Sequence, residues 1–302
     1  MSEELLRRLD AFEALQGHSH ARSARLRYVL IDVFTERPLE GNQLAIFTDA
    51  RALGAADMQR IARELKLSES VFALPAEDDA DLRIRIFTPA AELPFAGHPV
   101  LGSAIFLGRA LAREQVSLQT GAGAVSVRVE QHGPRRGSGW MSQPLPRRMH
   151  FEAAEQLQRA LGVERYGLPV ELYENGPRHV FVELESDEAL AALDPDLRAL
   201  AALGEFGCSC FAGSGERFRA RVFAPALGVA EDPATGSAAG PLAVHLARHG
   251  RIAFGRQIEI SQGAEIARPS LLYAVAHGDA QRIERVEVGG SAVILAAGVL
   301  EL

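Results

Sequence analysis

Apolar and polar positions along the chain change period several times, and each change predicts an element. Residues 3–15 bring Leu5, Leu6, Leu9, Phe12 and Leu15 onto one helical face, followed by the polar stretch GHSHARSAR. From Arg27 the pattern becomes strand-like. YVLIDVF reads as a buried strand with Asp32 in an apolar run, and Gly41-Asn42 as a hairpin-type turn into QLAIF. ADMQRIARELKL has helical spacing, SESVFALP is a short strand, and ADLRIRIFTP alternates with period two. A helix is predicted after GHP, followed by the strands VSLQT and AVSVRVEQ. The second half uses the same grammar. FEAAEQLQRALG is helical, and PVELYENGPRHVFVEL gives two strands about a Gly-Pro turn. EALAAL and DLRALAAL are helical, and FGCSCFA and RFRARVFAP are strands. GPLAVHLARHG is a helix closed by Gly250, and strand signals fill the rest.

The two halves share one motif. ELPFAGHPVLGSA and EDPATGSAAGPLA both read Glu-x-Pro-x-x-Gly. Each position is displaced by 139 (Glu92 to Glu231, Pro94 to Pro233, Gly97 to Gly236). In each half an alternating strand ending in Phe-x-Pro precedes the motif and a helix follows it, which marks an internal duplication. Many strands with one or two long helices per half predict an α+β fold of two pseudo-symmetric domains. Each is a curved mixed sheet around a central helix, with a cleft between them. The boundaries predicted are an N-terminal extension over 1–25, a first domain over 26–146 and a second over 147–296. The last strand, about 297–302, is expected to return to the first domain.

Each turn delivers a glycine into a helix start, where free N–H groups and the helix dipole favour an anion. Ser237 is expected to cap the second helix, and Pro241 to lie early enough in it to forfeit no hydrogen bond. Two such starts facing one cleft suit a small carboxylate, or an enolate-like charge developing during reaction. Glu92 and Glu231, equivalent by repeat, are expected to brace their turns.

Composition narrows the partners. The 302 residues are 47% apolar with a net charge of −7, which disfavours nucleic acid and anionic membrane surfaces. MSEELLRRLD lacks the form of a secretion signal, and SAVILAAGVL is about half a membrane span, so a soluble, cytoplasmic protein is expected. Cys208 and Cys210 are expected to be buried, pointing to opposite faces of their strand. His18 and His20 form an H-x-H pair with no acidic or thiol neighbours. GAGAVS lacks the third glycine of a dinucleotide loop, and no Gly-x-Ser-x-Gly, phosphate-loop lysine or His-Glu-x-x-His motif occurs.

IDVFTERPLEGNQLAIF, LSESVF, FTPAAELPFAGHPVLGSA, FAPALGVAEDPATGSAAGPL and QGAEIARPS together resemble the phenazine-biosynthesis PhzF-like family, from about Tyr28 onward. The resemblance implies the diaminopimelate-epimerase-like fold, an inter-domain active site, no metal or organic cofactor, and a homodimer. The characterised activity is isomerisation of trans-2,3-dihydro-3-hydroxyanthranilate. By motif, Glu69 matches the catalytic acid/base, Gly97 and His98 the first substrate loop, and Asp232, Gly236 and Ser237 the second. Glu69, His98 and Asp232 are thus the expected catalytic set, and Gly97, Gly236 and Ser237 the substrate-binding set. Epimerases of this fold place a cysteine before each loop glycine. Ala96 and Thr235 stand there, which argues against two-thiol racemisation. Gln43 occupies a position where the family usually has proline. The expected activity is a proton shift on a small cyclic amino or hydroxy carboxylic acid. A single-base epimerase or lyase on another small carboxylate, and a non-catalytic binding protein, are the alternatives.

Overall fold

The computed structural model describes residues 25–302; the helix expected over 3–15 and the His18/His20 pair lie outside them. The first half supplies strands β1 (Arg25–Val33), β2 (Asn42–Phe47), β3 (Glu69–Leu74), β4 (Leu82–Phe87), β5 (Glu92–Leu93), β6 (Gln115–Thr120), β7 (Gly123–Gln131) and β8 (Arg136–Ser142). The second supplies β9 (Arg147–Met149), β10 (Glu171–Glu174), β11 (Arg178–Glu183), β12 (Gly207–Ser214), β13 (Arg217–Ala224), β14 (Val229–Asp232), β15 (Gln257–Gln262), β16 (Ser270–Gly278) and β17 (Ile283–Glu301). The helices are α1 (Ala55–Leu65), α2 (Gly97–Leu111), α3 (Ala154–Leu161), α4 (Asp187–Ala191), α5 (Leu197–Ala202) and α6 (Gly236–Arg248).

The duplication read from the turns is written again in the ladders. From β1 through β8 the pairings run antiparallel, parallel and antiparallel; β5 then pairs antiparallel with β4, β4 pairs parallel with β6, and antiparallel pairs follow. From β10 onward the same sequence recurs through β16 and β17, with β14 in the place of β5. The nineteen-residue β17 joins the two. Its residues 283–289 pair with β16, 287–293 with β8, and 292–301 with β1. The first half therefore closes as an eight-strand barrel, β1-β2-β3-β4-β6-β7-β8-β17. The fold is α+β.

A central helix fills each half because its sequence is apolar or small on every side. α2 is buried from Gly97 to Gly108 and α6 from Gly236 to Ala247. Both share one core with the barrel strands, including Val100, Leu101, Leu242 and Leu246. The remaining helices lie outside the sheets and are amphipathic. α1 buries only Met58, Ile61 and Ala62, against Phe47, Phe72 and Phe87. On the second half Leu157, Leu190 and Leu200 pack with Cys208 and Cys210. The two thiols are buried as expected, but their sulfurs are 3.8 Å apart on one face of β12. Residues two apart in a strand share a face, so the opposite-face expectation was wrong.

Asp32 explains its place in an apolar strand. It is fully buried, and its Oδ2 accepts from Leu39 N–H at 2.7 Å while Oδ1 accepts from Arg268 at 2.7 Å. Arg268 also donates to the carbonyls of Gly41 and Glu40. These bonds pin the loop between β1 and β2. At its end Gly41 has φ +71°, and a side chain there would sit 2.4 Å from the Val33 carbonyl. Asp32→Ala would leave Arg268 without its carboxylate and is expected to cost about 3 kcal/mol, read from urea unfolding. Among the described residues no helix is long and apolar enough to cross a membrane.

Candidate active site

The two motif turns are braced alike. Arg85 of β4 makes a two-bond pair with Glu92 (2.7 and 2.6 Å), and Arg221 of β13 makes one with Glu231 (2.9 and 2.8 Å). Each guanidinium also lies over a phenylalanine on its own strand, Phe87 and Phe223. These braces bring the starts of α2 and α6 into contact. A β-carbon on Gly97 would fall 2.4 Å from the Gly236 carbonyl carbon and 2.5 Å from Ser237 N. The N–H groups of Gly97, His98, Gly236 and Ser237 precede the first i→i−4 bonds, Val100 to Ala96 and Ala239 to Thr235. They have no acceptor within their helices.

Thr235, not Ser237, is the N-cap residue of α6. Ser237 lies two residues further on, within the first turn, and its hydroxyl meets His179 Nε2 at 2.9 Å. Pro241 is therefore deep enough to forfeit a real bond, contrary to expectation. The carbonyl it leaves free, that of Ser237, accepts instead from Asn175 at 3.0 Å. Gln143 caps the neighbouring Gly236 carbonyl at 2.7 Å.

A cleft of about 440 Å³, part of it open to solvent, lies beside this junction. Glu69, Leu93 and Ala96 line it from the first half; His179, Asp232, Thr235 and Ser237 line it from the second. Gly97, Gly236 and His98 are not among the residues lining it. Glu69 is the first residue of β3, so its side chain sits where a buried strand meets the cleft, 13% exposed. Its Oε2 has no hydrogen-bond partner and lies 3.5 Å from His98 Nδ1. Asp232 is the opposite case, with both oxygens occupied: Asn42 donates to Oδ1 at 2.8 Å and the Thr235 hydroxyl to Oδ2 at 2.6 Å. Gln262 holds Thr235 in turn through its hydroxyl and backbone N–H.

The two carboxyls consequently differ in electrostatics. Burial, then the nearby charge of Asp232, pushes Glu69 well above the ordinary carboxylate range. Asp232 is also raised by burial, but hydrogen bonds from Thr235, Ser68 and Asn42 oppose the shift. Burial drags His98 down to about 3, against a smaller opposing effect of the Gln43 backbone, and His179 down to about 3. Both rings are neutral. The two amide hydrogens of Asn42 point at Asp232 and at the Ala234 carbonyl (2.9 Å), leaving His98 Nδ1 for Glu69. Imidazole ¹⁵N spectra are expected to show neither ring titrating between pH 5 and 8; a ring that charges in this range would contradict the assignment.

His179, Thr235, Gln262, Asn175 and Gln143 belong to this network and were missed in the sequence. They stand outside the repeated motif or at a position read only as a missing cysteine. The equivalence of the two turns offered no pointer to them.

Comparison with known proteins gives the family. The family model described as "phenazine biosynthesis-like protein" (PhzC-PhzF) matches residues 31–298. The chain belongs to this family. A trans-2,3-dihydro-3-hydroxyanthranilate isomerase of Pseudomonas aeruginosa strain PAO1 is 52% identical over 272 residues, covering 90% of this chain and 98% of that protein. The solved structure of a predicted epimerase from Pseudomonas aeruginosa superposes with a TM-score of 0.79 at 35% identity, covering 91% and 99%. A hydroxyproline epimerase from Agrobacterium vitis, at 13% identity and a TM-score of 0.61 over 92% and 93%, shares the fold. The PhzC-PhzF chain described here has Thr235 beside Gly236, with its hydroxyl bonded to Asp232.

Proposed function

We propose that this protein isomerises trans-2,3-dihydro-3-hydroxyanthranilate, or a close cyclic amino carboxylic acid, by moving one proton between ring carbons. The observation that carries the reading is the Glu69 carboxyl: set in the cleft wall, raised in pKa, with an unpartnered oxygen. A base that removes a proton from carbon near neutral pH needs such a carboxyl. The 52% identity to an isomerase of this substrate gives the reaction class.

In this reading the substrate carboxylate lies against Ser237 and the starts of α2 and α6, where backbone N–H groups and two helix dipoles favour it. Asp232, held rigid by Asn42 and Thr235, orients the ring through its amino or hydroxyl group. Glu69 takes a proton from an sp³ ring carbon while the double bonds shift, and returns it to a second carbon on the same face. No atom is gained or lost, so one carboxyl serves as base and then as acid. Neutral His98, its Nδ1 3.5 Å from Glu69 Oε2, stands beside the carboxyl without neutralising its charge. The test is conversion of trans-2,3-dihydro-3-hydroxyanthranilate by the purified chain, followed by proton NMR in H₂O. Appearance of an isomer of the same mass supports the proposal, and unchanged substrate rejects it.

A further inference from the structure

α6 carries a second cluster of side chains at its far end, about 12–18 Å along the helix from Ser237 at 1.5 Å per residue. His245 and His249 are one turn apart and face Glu171, the first residue of β10. Glu171 Oε2 is 3.2 Å from His245 Nδ1 and 3.2 Å from His249 Nε2, and the three atoms lie within 4.8 Å of one another. Ligands about 2.0–2.2 Å from a tetrahedral zinc ion stand roughly 3.3–3.5 Å from each other. Both carboxylate–imidazole distances are near that spacing, and the two imidazole nitrogens, within 4.8 Å of each other, would draw together on an ion. The carboxylate–imidazole distances are wide for charge-assisted hydrogen bonds, which close to about 2.7–2.9 Å.

The surroundings of His245 point the same way. The ring is fully buried, stacked on Phe181 at 5.6 Å and perpendicular to Tyr173 and Phe211 at 5.8 and 6.0 Å. Its Nε2 has no hydrogen-bond partner. A proton on Nδ1 would leave a bare lone pair on Nε2 among aromatic rings. A metal on Nδ1 puts the proton on Nε2, and an N–H toward a π face is the favourable sense. The carboxylate is supported as a ligand would be: the Tyr173 hydroxyl donates to Oε2 at 2.8 Å and Arg148 donates to Oε1 at 3.1 Å. Glu171 and His249 keep 15% and 21% of their side chains exposed, which opens a path for an ion and a water as fourth ligand.

We propose that Glu171, His245 and His249 form a binding site for a divalent transition-metal ion of the zinc class, separate from the reaction cleft. Two imidazole nitrogens and one carboxylate oxygen suit that class. The ion would tie β10 to the end of the central helix of the second half, and Arg148 on the other carboxylate oxygen would temper its affinity.

The test uses the full-length, untagged chain after chelator treatment, titrated with Co²⁺. The expected result is a visible absorption band saturating at one equivalent, displaced by Zn²⁺, with affinity at least tenfold weaker in Glu171→Gln and in His249→Ala. Zn²⁺ should raise the Tm of the wild type and not of His249→Ala. A variant with His18→Ala and His20→Ala should bind as the wild type does. No stoichiometric band in the wild type would overturn the proposal. So would binding that survives Glu171→Gln and His249→Ala, or binding lost with His18 and His20.

Discussion

Glu69→Gln is expected to lower kcat by about 10³-fold, within the range that positioned proton-transfer groups contribute, while ligand affinity changes little. Glutamine keeps the shape and polarity of the side chain but cannot take a proton from carbon. A loss in kcat with preserved binding is the signature of an interaction needed only for the chemical step. In the wild type, kcat/KM should rise with pH as Glu69 ionises, with a midpoint well above the ordinary glutamate value because burial and Asp232 hold its proton. The same shift has a stability consequence of opposite sign. The folded chain holds this proton more tightly than the unfolded chain does. Stability therefore falls as pH rises from the ordinary glutamate range through the raised one, and the full penalty stands above it. Glutamine carries no such penalty. The Tm of Glu69→Gln should exceed that of the wild type at pH 8, and the gap should shrink toward pH 4. Equal Tm values at pH 8 would contradict the buried, raised carboxyl.

Gly97→Ala is expected to damage stability and activity together. The added carbon would lie 2.4–2.6 Å from backbone atoms of Gly236 and Ser237. Those atoms cannot retreat freely, since Gln143 and Asn175 hold the Gly236 and Ser237 carbonyls. Overpacking of this kind costs about 3 kcal/mol. A displacement of about 1 Å between the two helix starts would cost on the order of a hundredfold in kcat/KM. Gly54→Ala is the control, because nothing lies within 4 Å of a β-carbon there. Urea unfolding and kcat/KM should separate the two variants. Matching behaviour would mean that the close approach of the helix starts has no functional weight.

The parts of the fold legible in the sequence were those with a strong local signal. LRIRIF and RFRARVF alternate because one face of each strand is in the core, and the repeated Glu-x-Pro-x-x-Gly exposed the duplication that the ladders confirm. β8, RGSGWMS, was invisible: its glycines suggest a turn, yet Gly137 and Gly139 are where Ile105 and Leu101 of α2 approach the sheet. β17 read as ordinary strand signals, and nothing local announces that one strand serves three neighbours. At the site, Glu69, His98 and Asp232 were named from motifs. The structure brings Glu69 and His98 together and sets Asn42, bonded to Asp232, beside His98. His179 and Gln262 arrive from strands far away in sequence, so only the folded chain shows them. Ser237 was misassigned by two residues because a serine beside a helix start looks like a cap, whereas its hydroxyl faces His179.

The most direct test of the central claim is proton NMR in D₂O with trans-2,3-dihydro-3-hydroxyanthranilate, wild type and Glu69→Gln side by side. The account predicts rearrangement by the wild type with deuterium gained at the newly protonated ring carbon, and neither rearrangement nor exchange with the variant. Rearrangement by Glu69→Gln at the wild-type rate would contradict it, because the proton would then move without the carboxyl assigned to carry it.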